Sequence, residues 1–555
     1  MDRPWLNAYP PGVPAEIATE AYPSLAALFD DSVARHATRP AFACMGKRLS
    51  YAELDQLTRR LASHFQSLGL PQGSRIALML PNCLQYPVAL FAVLRGGYTV
   101  VNCNPLYTAR ELEYQLADSG ADVLVVLENF AQVAQQALPG TRVRHVIVTG
   151  LGDLLGTFKG RLVNAVVRYV KKLVPAWHIA GAQRWPQVLG ADAFIPVTIA
   201  PGDIAFLQYT GGTTGVAKGA MLTHRNLLAN LAQAQAWIGG TVAAGKEVVI
   251  TALPLYHIFS LTANCLTFLP LGATNVLIPN PRDIPAFIKE LGRHRFTVIT
   301  GVNTLFNALL NHPDFARLDF SALKISLGGG MAVQQAVAER WKAATGCTLV
   351  EAYGLTETAP AVTLNPLDLP AFNGSIGLPL PSTEVVIRDA TGRAVPVGGA
   401  GELCVRGPQV MAGYWNRPDE TAGVMSADGF LHTGDIATLD ARGFVYIVDR
   451  MKDTILVSGF NVYPNEVEGV LALHPGVREV AVVGVADDKS GEAVKAFVVR
   501  RDAALAAEAL VAHCRQSLAA YKVPHQFEFR DELPKTNVGK ILRRALRENP
   551  YNQHS

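Results

Sequence analysis

The sequence predicts an α/β protein made of a large N-terminal domain and a small α+β C-terminal domain. Up to about residue 385, short apolar runs alternate with segments of helical period, which is typical of parallel sheets covered by helices on both faces. Beyond that point, short strand patterns separated by Gly, Asp and Pro turns indicate a β-rich subdomain, and the last hundred residues again mix both patterns. We therefore expect two α/β subdomains and a β-rich subdomain in the large domain.

The alternation is clearest in the first 150 residues. Residues 24–37 have apolar side chains at helical spacing, and residues 51–68 repeat this spacing directly after Ser50, whose side chain can cap a helix. Residues 75–80 form an apolar run that ends at a Pro-Asn turn, which indicates a strand. The other elements predicted here are helices at 86–94 and 109–119 and strands at 99–101, 123–126 and 145–148.

The later elements follow from the same patterns. In the β-rich subdomain we expect strands at 384–388, 401–406 and 443–448. In the C-terminal domain we expect strands at 479–486, 493–500 and 526–529 and helices at 505–518 and 541–548.

Composition narrows the function classes. The chain has 555 residues, of which 49% are hydrophobic and 17% charged, so it can bury a core and is neither disordered nor collagen-like. A formal net charge of only +3 gives no indication of nucleic-acid binding. The seven Cys are odd in number and include no CxxC pair, which argues against a disulfide framework or a structural zinc site. The sequence shows no secretory signal and no apolar run of about 18 residues, so we expect a cytoplasmic protein.

One segment departs from the average charge. Residues 154–191 contain six basic side chains and no acidic one, and apolar residues recur at spacings of three and four up to Pro175. An apolar helix face beside a cationic face suits an anionic membrane surface, whereas an ordinary surface helix docked on the core fits the same pattern. The sequence leaves both interpretations open. The basic residues are Lys159, Arg161, Arg168, Lys171, Lys172 and Arg184.

The sharpest local feature is the Gly/Thr loop, residues 209–219, which reads Tyr-Thr-Gly-Gly-Thr-Thr-Gly-Val-Ala-Lys-Gly and follows an apolar run at 204–207. Its glycines allow backbone N–H groups to turn toward one point, and the Thr hydroxyls and Lys218 add donors and a cation, so it predicts a cradle for a polyphosphate. It is not a Walker A loop, because Lys218 is followed by Gly219 and not by Ser or Thr. A flexible surface loop is the alternative interpretation.

The Gly/Thr loop resembles the phosphate loop of adenylate-forming enzymes, the superfamily of acyl-CoA synthetases, luciferases and peptide-synthetase adenylation domains. Further motifs of that superfamily follow in its order over nearly the whole chain, at residues 254–259, 328–330, 353–358, 433–435, 449–452 and 534–540. Within the superfamily, the stretches most similar to bacterial long-chain fatty acid–CoA ligases are residues 5–7, 428–452 and 457–464.

The resemblance implies a two-step reaction. An ATP-dependent long-chain fatty acid–CoA ligase joins a fatty acid to AMP with release of pyrophosphate, and then transfers the acyl group to CoA with release of AMP. The same chemistry on a medium-chain or aryl carboxylate is one alternative. A non-catalytic, membrane-bound fatty-acid binding or import protein is an alternative of another class.

The resemblance also implies the partners. They are a fatty acid, ATP and CoA, with Mg²⁺ as the metal cofactor and no nucleic acid. Peripheral contact with the inner face of the cell membrane and a homodimer are further options.

The resemblance assigns three catalytic residues, Lys540, Glu357 and His257. Lys540 supplies a cation that helps to join the carboxylate to the α-phosphate of ATP. Thr213 and Glu357 coordinate Mg²⁺. This ion bridges phosphate oxygens and neutralises part of their negative charge. His257 lines the acyl or thiol channel, and a satisfied core histidine is the alternative interpretation.

The nucleotide and CoA are assigned to the remaining motif residues. Asp435 is suited to accept hydrogen bonds from the ribose hydroxyls, Arg450 adds a donor, and Tyr353 offers a flat face to the adenine. The full predicted set for these co-substrates is Thr210, Gly211, Gly212, Thr213, Thr214, Gly215, Lys218, Gly328, Gly329, Gly330, Tyr353, Gly354, Thr356, Asp435, Arg450, Lys452, Ser458 and Gly459.

The same resemblance divides the chain into two domains. Residues 1–450 form the adenylate-forming domain, which binds ATP and the acyl group, and residues 451–555 form a mobile domain that contains Lys540. Because one rigid pocket cannot present both Lys540 and a channel for the pantetheine arm, the small domain rotates about a hinge near Lys452. Ser458 and Gly459 then face the adenylate.

A long acyl chain requires a deep apolar tunnel, because each buried methylene contributes about 0.8 kcal/mol. Residues 259–271 and 302–310 are apolar enough to line such a tunnel. They are equally suited to ordinary core, and the preferred chain length stays open.

Overall fold

The computed structural model describes residues 3–210, 217–458, 460–487, 490–536 and 539–547. The described strands form four sheets of nine, seven, four and five strands. In chain order the strands are β1 (Pro40–Cys44), β2 (Lys47–Ser50), β3 (Arg75–Met79), β4 (Thr99–Asn102), β5 (Val123–Leu127), β6 (His145–Thr149), β7 (Gln183–Arg184), β8 (Ile204–Tyr209), β9 (Gly219–Thr223), β10 (Val248–Thr251), β11 (Thr274–Leu277), β12 (Val298–Gly301), β13 (Ile325–Gly328), β14 (Leu349–Gly354), β15 (Ala361–Leu364), β16 (Leu378–Pro379), β17 (Glu384–Arg388), β18 (Gly401–Arg406), β19 (Leu431–Leu439), β20 (Val445–Arg450), β21 (Ile455–Val457), β22 (Phe460–Val462), β23 (Val477–Asp487), β24 (Gly491–Arg500) and β25 (Gln526–Arg530).

The α-helices, in chain order, are α1 (Leu25–His36), α2 (Tyr51–Ser67), α3 (Gln85–Arg95), α4 (Ala109–Ser119), α5 (Ala131–Ala137), α6 (Thr157–Ala165), α7 (Trp185–Val188), α8 (His224–Ile238), α9 (Ile258–Ser260), α10 (Ile284–Leu291), α11 (Asn303–Leu310), α12 (Gln335–Thr345), α13 (Pro418–Val424), α14 (Pro464–Ala472), α15 (Ala507–Arg515) and α16 (Arg543–Arg547). Two π-helical turns extend α6 and α9, at Val166–Val170 and Leu261–Leu266. Short 3₁₀ turns lie at Pro4–Ala8, Glu128–Phe130, Leu138–Gly140, Phe315–Arg317, Thr356–Thr358, Met451–Asp453 and Ala520–Lys522.

Two mainly parallel sheets form the two α/β subdomains. The first has the strand order β7-β6-β5-β3-β4-β8-β9 and the second the order β16-β15-β14-β13-β12-β10-β11-β1-β2. Every pair from β7 to β8 in the first sheet and from β14 to β1 in the second is parallel, and antiparallel pairs occur only toward the edges. The predicted fold class, with buried parallel sheets, is therefore confirmed.

The core of the large domain is packed between these sheets. All eleven residues of α3 are buried, which explains why its sequence lacks a polar face. Phe91 of α3 stacks on Phe29 of α1 with ring centroids 4.2 Å apart, in a cluster that also contains Phe42 of β1 and Ile76 of β3. One continuous hydrophobic cluster thus joins both sheets and fixes their relative position.

The β-rich subdomain is the antiparallel meander β17-β18-β19-β20. The predicted strands at 384–388 and 401–406 match β17 and β18, whereas the strand predicted at 443–448 begins and ends two residues later. The nine-residue strand β19 was not predicted, because its Thr-Gly-Asp motif interrupts the apolar pattern.

The C-terminal domain has the sheet order β22-β21-β24-β23, with β25 parallel to β24. The helix predicted from residue 541 is wrong at its start. Ile541 instead forms an isolated bridge with Lys535, and α16 begins at Arg543, because the Leu542 N–H is already donated to the Pro534 carbonyl at 2.8 Å. The domain boundary at 450/451 stays a prediction.

No helix within the described residues is both long enough and apolar enough to cross a bilayer. The carboxyl ends of β12, β13 and β14 point toward the β-rich subdomain and the C-terminal domain. Ligands of open α/β sheets bind at such carboxyl ends, and a large cavity of the molecule lies there.

Candidate active site

A cavity of about 1020 Å³ lies where the two domains meet, and most described site residues line it. It is bounded by the C-terminal ends of β8, β12, β13 and β14 in the large domain and by residues 535, 536 and 540 in the small domain. Of the predicted site residues, those that line it are Thr210, His257, Gly329, Gly330, Tyr353, Gly354, Thr356, Glu357, Asp435, Arg450, Lys452 and Lys540.

The Gly/Thr loop is closed at its base. β8 and β9 pair in antiparallel fashion with Tyr209 opposite Gly219, and the Thr210 N–H donates to the Lys218 carbonyl at 2.9 Å. Lys218 forms an ion pair with Glu420, and its Nζ lies 5.2 Å from the centre of the Tyr414 ring. The predicted phosphate-binding residues Gly211, Gly212, Thr213, Thr214 and Gly215 lie outside the described residues.

Glu357 lies beside this loop in the 3₁₀ turn Thr356–Thr358. The Tyr414 hydroxyl donates to Glu357 Oε1 at 2.6 Å, and the Met411 N–H donates to the Glu357 carbonyl at 2.8 Å. The side chain of Glu357 is therefore oriented by the same tyrosine whose ring contacts Lys218. A carboxylate oxygen is a hard donor of the kind that Mg²⁺ prefers, so Glu357 fits such an ion.

Asp435 and Tyr353 form the second polar group of the cavity. The Tyr353 hydroxyl donates to Asp435 Oδ2 at 2.6 Å, and burial together with this carboxylate raises the pKa of Tyr353. Asp435 lies opposite Arg450 in the β19–β20 ladder, and Arg450 Nε is 3.7 Å from Asp435 Oδ1. The Asp435 N–H donates to Thr433 Oγ1 at 3.1 Å. A fixed carboxylate results, with acceptor oxygens at the cavity wall.

Glycines let the backbone approach the cavity. A side chain on Gly329 would place its Cβ 3.1 Å from the Ala352 carbonyl oxygen, and Gly330 has a φ of +75° that favours glycine. Gly354 has no space for a Cβ, which would lie 2.0 Å from the Pro360 oxygen. Gly328 differs, because it lies within β13 and its missing side chain makes room for Val333.

Lys540 enters the cavity from the small domain, on a loop of which the structure describes residues 534–536 and 539–542. The Thr536 N–H donates to the Lys540 carbonyl at 2.6 Å, and the Lys540 N–H donates to Thr536 Oγ1 at 3.0 Å. The loop touches the large domain where the Thr304 hydroxyl donates to the Gly539 carbonyl at 3.0 Å. Burial, and then the neighbouring Arg450, lower the pKa of Lys540 to about 7.

His257 lies in the motif at residues 254–259 and caps α9. Its Nδ1 accepts a hydrogen bond from the Phe259 N–H at 3.3 Å. Burial, and then the charge of Lys540, lower the pKa of His257 to about 4, so its ring is neutral near pH 7. His257 thus fits both interpretations that the sequence left open. Its ring accepts a hydrogen bond from the backbone, as a satisfied core histidine does, and it also lines the cavity.

The residues predicted to serve the second half-reaction do not all lie here. Lys452 lines the cavity, and burial followed by the charge of Arg450 lowers its pKa. Ser458 is exposed and does not line the cavity, and its N–H donates to the Ser490 carbonyl at 2.7 Å. Gly459 lies outside the described residues.

The inner part of the cavity is a mostly apolar tunnel between the strands and α8. Alternate residues of two strands and of the positions directly after them face the tunnel. They are Val298, Thr300 and Val302 in and after β12, and Ile325, Leu327 and Gly329 in and after β13. Asn230, Ala234 and Ile238, spaced by four residues, face it from α8. At about 3.3 Å per strand residue and 1.5 Å per helix residue, both walls run for about 12–13 Å.

The two segments predicted to line the tunnel do so only in part. From 259–271, the side chains of Phe259, Thr262, Ala263, Thr267 and Phe268 reach the cavity. Leu261, Leu266 and Leu269 pack instead into the core beside α3, because the π-helical turn directs them to the opposite side. From 302–310, only Val302 lines the cavity. Ala234 and Ile238 were not predicted, because their spacing equals that of any core-facing helix.

Two family models match this chain. The family of AMP-binding enzymes matches residues 29–415, and the C-terminal domain of AMP-binding enzymes matches residues 466–540. The chain belongs to the AMP-binding enzyme family.

Several AMP-binding enzymes resemble the whole chain. The long-chain-fatty-acid–CoA ligase of Escherichia coli O6:H1 is 58% identical over 552 residues, which cover 99% of this chain and 98% of the relative. The long-chain-fatty-acid–CoA ligase of Bacillus subtilis is 39% identical over 100% of this chain and 99% of the relative. The crystal structure of ATP-bound MatB from Rhodopseudomonas palustris has a TM-score of 0.80 at 30% identity and covers 94% of this chain and 98% of its own.

Proposed function

We propose that the protein is an ATP-dependent long-chain fatty acid–CoA ligase. The observation that carries this proposal is the single cavity that joins the polar groups Glu357, Asp435 and Lys540 to the apolar tunnel along β12, β13 and α8. A carboxylate at the tunnel mouth would therefore lie at the nucleotide end while its hydrocarbon chain is removed from water. The 58% identity to the Escherichia coli ligase supports the same substrate class.

In the first half-reaction, a carboxylate oxygen of the fatty acid forms a bond to the α-phosphorus of ATP, and the bond from that phosphorus to pyrophosphate breaks. Two anions have to approach each other, so cations must neutralise charge. Lys540 provides one positive charge at the cavity wall. Asp435 accepts hydrogen bonds from the ribose and fixes the nucleotide.

Glu357 and Thr213 are the residues proposed to hold Mg²⁺, together with phosphate oxygens of ATP. The metal supplies additional positive charge at the phosphates when it is bound. The role of the chain is to orient the ligands, and Tyr414 does this for Glu357 through its hydroxyl.

The tunnel supports a long-chain substrate. An extended hydrocarbon chain advances about 1.25 Å per methylene, so walls of about 12–13 Å enclose roughly ten methylenes, which at about 0.8 kcal/mol each correspond to a gross gain of about 8 kcal/mol. Much of that gain offsets the loss of motional freedom and the cost of binding. A short acid would leave the inner end of the tunnel, near Ile238 and Phe268, unfilled.

In the second half-reaction, the CoA sulfur forms a bond to the adenylate carbonyl carbon, the bond to AMP breaks, and the thiol proton is released. This step is proposed to follow rotation of the small domain about Lys452. Ser458 is exposed in the present orientation, where Lys540 occupies the cavity instead. Rotation of the small domain would withdraw Lys540 from the cavity and bring Ser458 to it.

The substrate class is tested with purified protein, ATP, CoA and a ladder of acids, by measuring pyrophosphate, AMP and acyl-CoA. We expect AMP and acyl-CoA in equal amounts and a maximum of kcat/KM on long-chain acids. A maximum on medium-chain or benzoate-type acids would contradict the long-chain assignment. Binding of fatty acid without AMP release would support the non-catalytic alternative.

We also propose that the segment 157–173 rests on anionic membrane lipid, which would make the enzyme peripheral on the inner face of the cell membrane. Phe158 is 85% exposed, and Tyr169 and Val170 are each 70% exposed, which is unusual for side chains of this size. Arg161, Lys171 and Lys172 are exposed on the same segment. Apolar side chains beside cations suit a lipid interface.

Flotation with vesicles that contain anionic lipid tests the membrane proposal. Phe158→Ser with Tyr169→Ser should reduce vesicle binding several-fold, and Lys171→Gln with Lys172→Gln should make the remaining binding less sensitive to salt. Arg168→Gln is avoided, because Arg168 forms an ion pair with the buried Glu128. The exposed apolar pair Leu456→Ser and Leu473→Ser on the small domain is the control. Unchanged flotation of the first variant would contradict the proposal. A homodimer stays a prediction that sedimentation velocity can test.

A further inference from the structure

Arg543 lies three residues after Lys540 in a cluster of acidic groups. Its guanidinium contacts Glu468 at two points, with Nε 3.1 Å from Oε1 and Nη2 2.8 Å from Oε2. Nη1 lies 3.3 Å from Asp453 Oδ2 and 3.5 Å from Asp449 Oδ1. Only 16% of the Arg543 side chain is exposed. Such a buried two-point contact has a fixed geometry that Lys cannot reproduce.

Asp449 is fully buried at the end of β20, in the large domain. Its Oδ2 accepts a hydrogen bond from the Asn465 N–H at 2.8 Å, in the first turn of α14. Tyr463, which precedes this helix, provides no side-chain cap. A carboxylate of the large domain therefore caps a helix of the small domain, where the free N–H groups and the helix dipole favour negative charge.

Of these contacts, those of Asp449 to Arg543 and Asn465 cross the predicted hinge, whereas the two-point contact between Arg543 and Glu468 lies within the small domain. Lys452 is the middle residue of the 3₁₀ turn Met451–Asp453. Asp449 precedes this turn, whereas Asn465 and Arg543 follow it. Rotation of the small domain about Lys452 changes the position of Asp449 relative to both partners, so these two contacts belong to the present orientation.

The loop that contains Lys540 is rigidly connected to Arg543. Ile541 pairs with Lys535, and the Leu542 N–H donates to the Pro534 carbonyl at 2.8 Å. The position of Arg543 therefore determines where the Lys540 side chain enters the cavity. In contrast, the described residues of the loop make one hydrogen bond to the large domain, from Thr304 to the Gly539 carbonyl, and it is partly exposed.

We propose that Asp449 and Arg543 form a hinge clamp that holds the small domain in the orientation with Lys540 in the nucleotide site. Arg543 is thus a positioning residue for the first half-reaction, and opening of the clamp accompanies the change to the second. The clamp sets the order of the two half-reactions, because the small domain cannot rotate to admit CoA until the contact between Asp449 and Arg543 is broken. This inference rests on the proposed two-step reaction.

The clamp is tested by measuring the two half-reactions separately. For Arg543→Met we expect pyrophosphate release with ATP and fatty acid to slow by about 10- to 100-fold. Conversion of supplied acyl-AMP and CoA to acyl-CoA should stay within about threefold of the parent. Arg543→Lys should recover only part of the loss. Asp449→Asn removes the charge of the other clamp residue. It should likewise slow pyrophosphate release and spare thioester formation, and it keeps the test valid even if Arg543→Met folds poorly.

A second readout reports on the domains and not on turnover. Labels on Asp319→Cys in the large domain and Glu508→Cys in the small domain, both exposed, give an interdomain distance distribution. Cys347→Ser is included in the parent, because the other cysteines are buried. We expect one main distance in the parent and a broader distribution in the Arg543→Met and Asp449→Asn variants. Arg547→Met is the control, because its contact to Asp453 at 3.1 Å does not reach Asp449.

Each result supports or overturns the clamp. A selective loss of pyrophosphate release together with a broadened distance distribution supports it. Equal losses in both half-reactions, or an unchanged distance distribution, overturn it and leave Arg543 with a purely structural role. If the parent protein releases no pyrophosphate with any fatty acid, the proposed function fails, whereas the distance measurement still decides on the clamp.

Discussion

The two ends of the active-site cavity are built on different principles. At the nucleotide end, polar side chains come from separate loops and are held by hydrogen bonds, such as Tyr353 to Asp435 and Tyr414 to Glu357. In the tunnel, mostly apolar side chains come from alternate strand positions and one helix stripe, and the apolar ones are fixed by packing. Chemistry is thus encoded by a few motif residues, whereas acyl selectivity is encoded by residues that resemble ordinary core.

This difference predicts that variants at the two ends change different quantities. Variants at the nucleotide end should change adenylation of every acid by the same factor. Variants in the tunnel should change the ranking of acids and leave the use of ATP unaltered.

The largest effect is expected for Lys540→Ala. Loss of a preorganised charged donor typically costs about 10²–10³ in rate, so pyrophosphate release should fall by that factor on all acids alike. Thioester formation from supplied acyl-AMP should remain near normal. Lys522→Ala, which removes a surface ion pair to Glu466 on the same domain, is the control and should change neither step. Equal losses in both steps would contradict the division of labour.

The second effect is expected in the tunnel, for Ala234→Phe. A phenyl ring halfway along the α8 stripe would exclude the inner part of the acyl chain. Loss of about four methylene contacts, at about 0.8 kcal/mol each, corresponds to a decrease of roughly 10²-fold in kcat/KM for long acids. Medium-chain acids should be affected much less, and the KM for ATP should not change. Ala236→Phe, on the same helix but not lining the cavity, is the matched control. A uniform loss over the acid ladder would contradict the assigned tunnel.

The third effect is expected for Tyr414→Phe. The hydroxyl of Tyr414 orients Glu357 at 2.6 Å, and a hydrogen bond to a charged group contributes about 1.5–3 kcal/mol. We expect about a tenfold higher Mg²⁺ requirement for pyrophosphate release, equal for long and short acids. Tyr446→Phe, whose hydroxyl lies 3.5 Å from Asp440, is the control. An altered ranking of acids would show that the two ends of the cavity are not independent.

The same contrast explains how much could be predicted from the sequence. The alternation of patterns predicted the parallel sheets, and the motif resemblance assigned twelve described residues that do line one cavity. The tunnel was predicted poorly, because Leu261 and Phe268 have the same hydrophobic character and only the π-helical turn decides which side each one faces. Contacts between distant residues, such as Asp449 with Asn465 and Arg543, have no local signal at all.

The smallest effect concerns the proton of Lys540. Burial and Arg450 lower its pKa to about 7 in the free protein, so near pH 8 most molecules have a neutral amine. The triphosphate anion favours the ammonium form, and binding of ATP above pH 7 should therefore take up a fraction of a proton. From pH 7 to pH 8 the protonated fraction falls roughly fivefold, which sets the upper limit for the loss of ATP affinity.

Calorimetry of ATP binding at pH 8, in buffers with different ionisation enthalpies, measures this uptake directly. Lys540→Arg should abolish it, because a guanidinium stays protonated throughout this range. Ala234→Phe should leave it intact, since the side chains described above as lining the tunnel are not ionisable. Proton uptake that persists in Lys540→Arg would assign the titration to another group, and uptake that disappears in Ala234→Phe would mean that filling of the tunnel moves the small domain as well.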